Sequence, residues 1–148
     1  MSDEKVFIDS NILIYAYSKT EPDKRQKAQD TIDKHNSIIS IQVINEFSSN
    51  CLKKLNKTYE EVIAAIFEIT HNFPITQVTI PIVIKAIVLQ NRYRFNYYDC
   101  IMLASALEHD CKFIFSEDMQ HGQIIEDKLT ILNPFQEGHT KHLLPKFP

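Results

Sequence analysis

Two apolar runs near opposite ends of the chain are too short for helices, and each stops at polar and acidic residues. Val6-Phe7-Ile8 runs into Asp9, and Phe113-Ile114-Phe115 runs into Ser116-Glu117-Asp118. Neither alternates apolar with polar, so a strand built from either is buried on both faces. Such strands belong in a parallel sheet covered by helices, and the sequence between them supplies helical patterns.

Strands are expected over residues 5–9, 37–40, 75–78, 112–116 and 129–132. Helices are expected over 11–17, 24–34, 42–55, 58–72, 79–93 and 96–109. Thr58 with Glu61 three residues later forms a capping box, and Pro81 suits a first helical turn. The segment 96–109 is apolar almost all round, which predicts a central, buried helix. Asn133-Pro134 ends regular structure, and residues 139–148 are expected to form a loose tail. The expectation is one α/β domain over 1–148, three layers deep, with a central parallel sheet of about four to five strands.

With 148 residues, 44% of them apolar, the chain can bury a core of its own. Its only glycines are Gly122 and Gly138, so neither GxGxxG nor GxxxxGK[ST] exists and no nucleotide cofactor is expected. The net charge of −3 does not advertise nucleic-acid binding, yet a clustered acidic site lowers the sum while basic patches act locally. Three cysteines, Cys51, Cys100 and Cys111, without CxxC spacing suit a reducing compartment and buried positions. The start is polar, and the longest apolar region, Val78 to Leu89, is interrupted by Pro81 and Lys85. A soluble, cytoplasmic protein without a membrane anchor is expected.

Function follows from where this layout places carboxylates. A helix linking parallel strands runs back across the sheet, so its N-terminus lies at the strands' C-terminal edge, where open α/β sheets carry their sites. Asp9 and Asp118 reach that edge from strand ends. Glu46 and Asp99 reach it from near helix starts. Carboxylates gathered at one place repel each other unless a cation sits among them. Mg²⁺ and Mn²⁺ favour such oxygen donors, and a bound ion orients water and neutralises charge on a scissile phosphate.

The pieces Phe7-Ile8-Asp9-Ser10-Asn11-Ile12-Leu13, Val43-Ile44-Asn45-Glu46-Phe47, Tyr98-Asp99-Cys100-Ile101 and Ser116-Glu117-Asp118 come in the order found in PIN-domain ribonucleases. Over nearly the whole chain, to about Phe135, the sequence resembles that family, close to VapC-type toxins of toxin–antitoxin modules. The resemblance implies a metal-dependent endoribonuclease in which Asp9, Glu46, Asp99 and Asp118 hold one or two Mg²⁺ or Mn²⁺ ions. It gives Asn11 and Ser116 supporting polar roles, and it implies a small antitoxin protein as partner and a homodimer. Glu117 departs from the pattern, since many relatives have a neutral residue there; it is either an extra ligand or a solvent-facing side chain.

Each of these residues has a plainer reading. Asp9 is a good helix cap, Asp99 suits a helix dipole, Glu46 is an acid beside a buried face, and Asp118 is a loop acid. Lys53, Lys54, Lys57, Arg92 and Arg94 are candidate RNA contacts, with solvated helix ends as the ordinary alternative. Tyr97 and Tyr98 read as core and rim aromatics before base-stacking platforms. His139-x-x-His142 lacks a third metal ligand, and His121-Gly122 reads as a turn. The competing functional class is a PIN scaffold that binds RNA or protein without catalysis. A haloacid-dehalogenase-type phosphatase would want Asp-x-Asp at the first strand, where Asp9-Ser10-Asn11 stands. The sequence leaves transfer, ribosomal and messenger RNA equally open as substrates.

Overall fold

The computed structural model describes residues 4–136. Its elements are β1 (Lys5–Ile8), α1 (Ser10–Ala16), α2 (Pro22–Asp33), β2 (Asn36–Ser40), α3 (Ile41–Lys53), α4 (Tyr59–Asn72), β3 (Ile75–Thr76), α5 (Ile80–Tyr93), α6 (Tyr97–Glu108), β4 (Phe113–Phe115), β5 (Ile124–Ile125) and β6 (Leu129–Leu132). The strands form one sheet in the order β3-β2-β1-β4-β6-β5. Every pairing is parallel except β5 with β6.

This order places the site. From β1 the chain steps through β2 to β3, then returns to add β4 on the other side of β1. Right-handed crossovers put the helices of the outward steps on one face and those of the return on the other. The packing agrees: α1 packs on α2 and α3, and α3 on α4, while α5 and α6 pack on each other. Between β1 and β4 the order reverses, and the strands' C-terminal ends part there to leave a crevice.

The core explains why these runs become strands. Val6, Phe7, Ile8 and Ile114 are wholly buried, and Phe115 nearly so. Helix α6 presents an unbroken buried run from Cys100 to Ala106, as its all-round apolar sequence predicts. The three cysteines are buried and unpaired. Thr58 and Glu61 form the expected reciprocal cap at the start of α4. Thr58→Ala is therefore expected to cost about 1 kcal/mol, read from chemical denaturation.

The sheet has six strands, more than the expected four to five. The unforeseen one is β5, two residues long and joined to β6 by a turn through Glu126 and Asp127 at φ 53° and 56°. Hairpin turns with two left-handed residues usually draw Asn-Gly or Asp-Gly, so Glu126-Asp127 gives no hairpin signal in sequence. What holds Glu126 there is its side chain. It accepts from Lys85 Nζ at 2.9 Å, Tyr93 OH at 3.0 Å and Arg92 Nη1, and its backbone N–H donates to Tyr93 OH at 2.9 Å. Chiefly through its bonds to Lys85 and Arg92, the carboxyl is lowered to about 2. The third strand is also shorter than expected, Ile75–Thr76 in place of 75–78. The expected tail at 139–148, with His139 and His142, lies outside the described residues.

Candidate active site

Asp9 follows β1 directly and stands at its end in an extended conformation. It does cap α1: its Oδ1 accepts from Ser10 N at 2.6 Å, and Ser10 Oγ lies 3.3 Å away. The cap leaves the rest of its environment to be explained. Asp9 is 3% exposed, and its other oxygen accepts from Ser116 Oγ at 2.7 Å and from Asn11 Nδ2 at 3.4 Å. Ser116, fully buried, directly follows β4 beside it, and its hydroxyl accepts from Asp118 N at 3.2 Å. Asn11 closes the ring. Its Nδ2 donates to Asp118 Oδ2 at 3.0 Å and its Oδ1 accepts from Glu117 N at 3.2 Å.

Glu46 comes in from α3. Its Oε1 accepts from Ser10 Oγ at 3.0 Å, and its Oε2 from Gln42 Nε2 at 2.9 Å. Asp99 lies in the first turn of α6, whose N-cap Asn96 accepts from Tyr98 N at 2.8 Å. All four acids thus meet at the crevice between β1 and β4, and their charges feel one another. Burial, foremost, pushes Asp9 up to about 7; bonds from Ser116 and Ser10 oppose this, and the charges of Asp99 and Glu46 add to it. Asp99 is raised by burial, then by Asp118 and Glu46.

None of the four carboxylates has a described Lys or Arg as ion-pair partner. Asp9 is buried, Glu46 and Asp99 are half-buried and Asp118 is exposed. Such a mutually repelling set, open on one side and without a described basic partner, suits a divalent cation, because every donor it offers is a hard oxygen. As the side chains stand, no trio of His, Cys, Asp or Glu among the described residues is arranged to enclose an ion. Repulsion keeps such groups apart, while Ser10, Asn11, Gln42 and Ser116 each hold one or two of them by a hydrogen bond. The donor set fits the ion in its chemistry.

Glu117 follows neither of its two sequence readings. Lys24 Nζ donates to it at 2.7 Å and Tyr15 OH at 2.8 Å. The lysine also stands over the rings of Tyr15 and Phe135, at 4.4 and 5.2 Å from their centroids. The Glu117 bond, foremost, raises the Lys24 ammonium above its usual range. Lys24 and Tyr15 were not foreseen; a lone lysine and a lone tyrosine far apart in sequence carry no signal. Gln42 and Ser10 had a weak one each, a polar group four residues before Glu46 and a hydroxyl beside Asp9.

The candidate RNA contacts scatter. Lys53 and Lys54 are exposed at the far end of α3, roughly 10 Å along the axis from Glu46. Arg92 is taken up by Glu126. Arg94 is exposed in a left-handed conformation just before the cap of α6. Tyr98 is 62% exposed beside Asp99, and half-buried Tyr97 meets it edge-on at 5.4 Å. A wide concavity of about 770 Å³, lined in part by Tyr17, His35 and Glu68, opens near the start of β2, away from the acids.

None of the curated proteins matches the chain. Solved structures do. A toxin–antitoxin complex from Klebsiella pneumoniae superimposes with a TM-score of 0.70 at 20% identity, over 88% of this chain and 98% of that one. The VapBC-1 structure from nontypeable Haemophilus influenzae gives 0.67 at 18% identity, over 89% and 99%. A sarcin-ricin-loop-cleaving VapC toxin from Mycobacterium tuberculosis gives 0.61 at 13% identity, over 76% and 91%. At these identities the likeness is one of fold. The sequence model described as PIN domain matches residues 6–125, which span β1 to β5 and all four acids. The chain belongs to the PIN-domain family.

Proposed function

We propose that this chain is a metal-dependent endoribonuclease and the toxin of a toxin–antitoxin pair. The observation that carries the reading is the gathering of four carboxylates, without basic partners, at the crevice between β1 and β4. Asp9, Glu46, Asp99 and Asp118 would hold Mg²⁺ or Mn²⁺. When bound, such an ion supplies an activated water and neutralises charge on a scissile phosphodiester.

The chain's own residues do the rest. Ser116 fixes Asp9 from the end of β4, just past Phe115, Asn11 ties Asp9 to Asp118, and Ser10 reaches Asp9 and Glu46 from α1. Lys24 neutralises Glu117, so that acid adds little to the charge an approaching RNA meets. Arg94 and the exposed Tyr98 stand beside the start of α6, where a strand entering the site would pass; Lys53 and Lys54 are more distant candidates, and Arg92 is held by Glu126. The toxin–antitoxin structures that share this fold support an antitoxin partner. Exposed apolar side chains on α4 (Tyr59, Ile63, Phe67) and on α5 (Ile80, Ile84, Ile87) offer surface for it and for a second copy of the chain. Such a protein would work in the cytoplasm, where its RNA is.

The test is cleavage of end-labelled total RNA by purified, antitoxin-free protein. Discrete fragments with 5′-phosphate and 3′-hydroxyl ends are expected in Mg²⁺ or Mn²⁺, and none in EDTA. Fragments ending in 2′,3′-cyclic phosphate would overturn hydrolysis by water. RNA binding without cleavage, in folded and metal-loaded protein, would replace the nuclease with a binding scaffold.

A further inference from the structure

Gln42 stands one helical turn before Glu46 on α3, and a bond between side chains four residues apart on a helix is ordinary. This one has a second end on another element. The amide nitrogen that donates to Glu46 Oε2 at 2.9 Å also donates to the backbone carbonyl of Tyr98 at 3.0 Å. Both targets are acceptors, so only the NH₂ end of the amide can face them. The amide oxygen is left buried without a partner. A side chain kept only for stability has no reason to accept that cost.

Tyr98 directly precedes Asp99 in the first turn of α6. Gln42 therefore ties the Glu46 carboxylate to the backbone that presents Asp99. Ser10 Oγ holds the other Glu46 oxygen at 3.0 Å. Glu46 is gripped at both oxygens, once from the β1–α1 side and once from the α6 side. A carboxylate has lone pairs to spare beyond those two bonds, so the grip leaves it able to bind a cation.

We propose that Gln42 is a positioning residue of this site, setting the separation of Glu46 and Asp99 so that both address the same ion. The proposal rests on the reading of the four acids as metal ligands. Polar groups that orient metal-binding carboxylates typically matter by 10- to 100-fold in affinity or rate.

The test titrates Mn²⁺ into the purified chain, followed by calorimetry and by the rise in unfolding temperature. Gln42→Met keeps the side chain's length and removes both donors. Its metal-free unfolding temperature is expected to match wild type. Its Kd for Mn²⁺ should rise about tenfold or more, with a smaller Mn²⁺-induced rise in Tm. RNA cleavage should fall in kcat, with KM little changed. Gln42→Ala, measured alongside, covers the case in which the methionine packs badly and lowers the metal-free Tm. Unchanged Mn²⁺ affinity in both variants overturns the positioning role and leaves the four-acid site standing. A wild-type chain that binds no Mn²⁺ overturns the metal reading, and this one with it.

Discussion

Asp9→Asn is expected to lower metal-dependent RNA cleavage by about a hundredfold or more while making the metal-free protein more stable. The two effects share a cause. Asp9 is buried among carboxylates and pushed up to about 7 from an ordinary 3.8. A carboxyl raised in the folded state is best tolerated when protonated. Its favourable contribution is complete below the unfolded value and is lost as pH rises through the folded one. Metal-free wild type should therefore lose about 3 kcal/mol between pH 5 and pH 8 from this group. The asparagine variant should lack that slope. Glu126 does not blur the comparison, because its titration, lowered to about 2, lies below this window. Urea denaturation of both proteins at pH 5, 6, 7 and 8, in EDTA, gives the difference directly. Parallel pH profiles would mean that burial and the neighbouring charges do not raise Asp9. Adding Mn²⁺ should raise wild-type stability most at pH 8, where Asp9 is ionised before the ion arrives.

Phe7→Ala is expected to cost about 3–5 kcal/mol. Phe7 is wholly buried in β1, which lies between β2 and β4 and pairs with both. Its ring has no solvent side from which neighbours can collapse, so a cavity remains where it stood. Such a loss is a large share of a domain's usual 5–15 kcal/mol, and the variant should unfold at markedly lower urea. Cleavage measured on the fraction still folded should fall less than in Asp9→Asn, since the acids themselves remain. A cost below about 1 kcal/mol would show that the centre of the sheet can repack.

How much was legible in sequence depended on how far each feature rests on local pattern. Strands β1 and β4 were readable because buried parallel strands are short apolar runs. Helix α6 was readable because it is apolar all round. The gathering of Asp9, Glu46, Asp99 and Asp118 was expected because helices linking parallel strands return across the sheet and start at the strands' C-terminal edge. Strand β5 was not readable, because its turn uses Glu126-Asp127, held by Lys85, Arg92 and Tyr93 from a helix more than thirty positions away. The same contact withdrew Arg92 from the set of free cations. The pairing of Glu117 with Lys24 was hidden for a like reason. Long-range side-chain partners leave no periodicity, and a charged residue looks the same in sequence whether it meets solvent or its counter-charge.

Ser10 has one hydroxyl proton and two carboxylates within its reach, Asp9 at 3.3 Å and Glu46 at 3.0 Å. It can serve only one of them at a time. Whichever acid is more negative attracts the proton, and the other then faces the oxygen's lone pairs. Neutralising Asp9, by a proton or by a cation, would thus turn the hydroxyl towards Glu46. The rotation of that single O–H bond would carry the change from one acid to the next, with no backbone displaced.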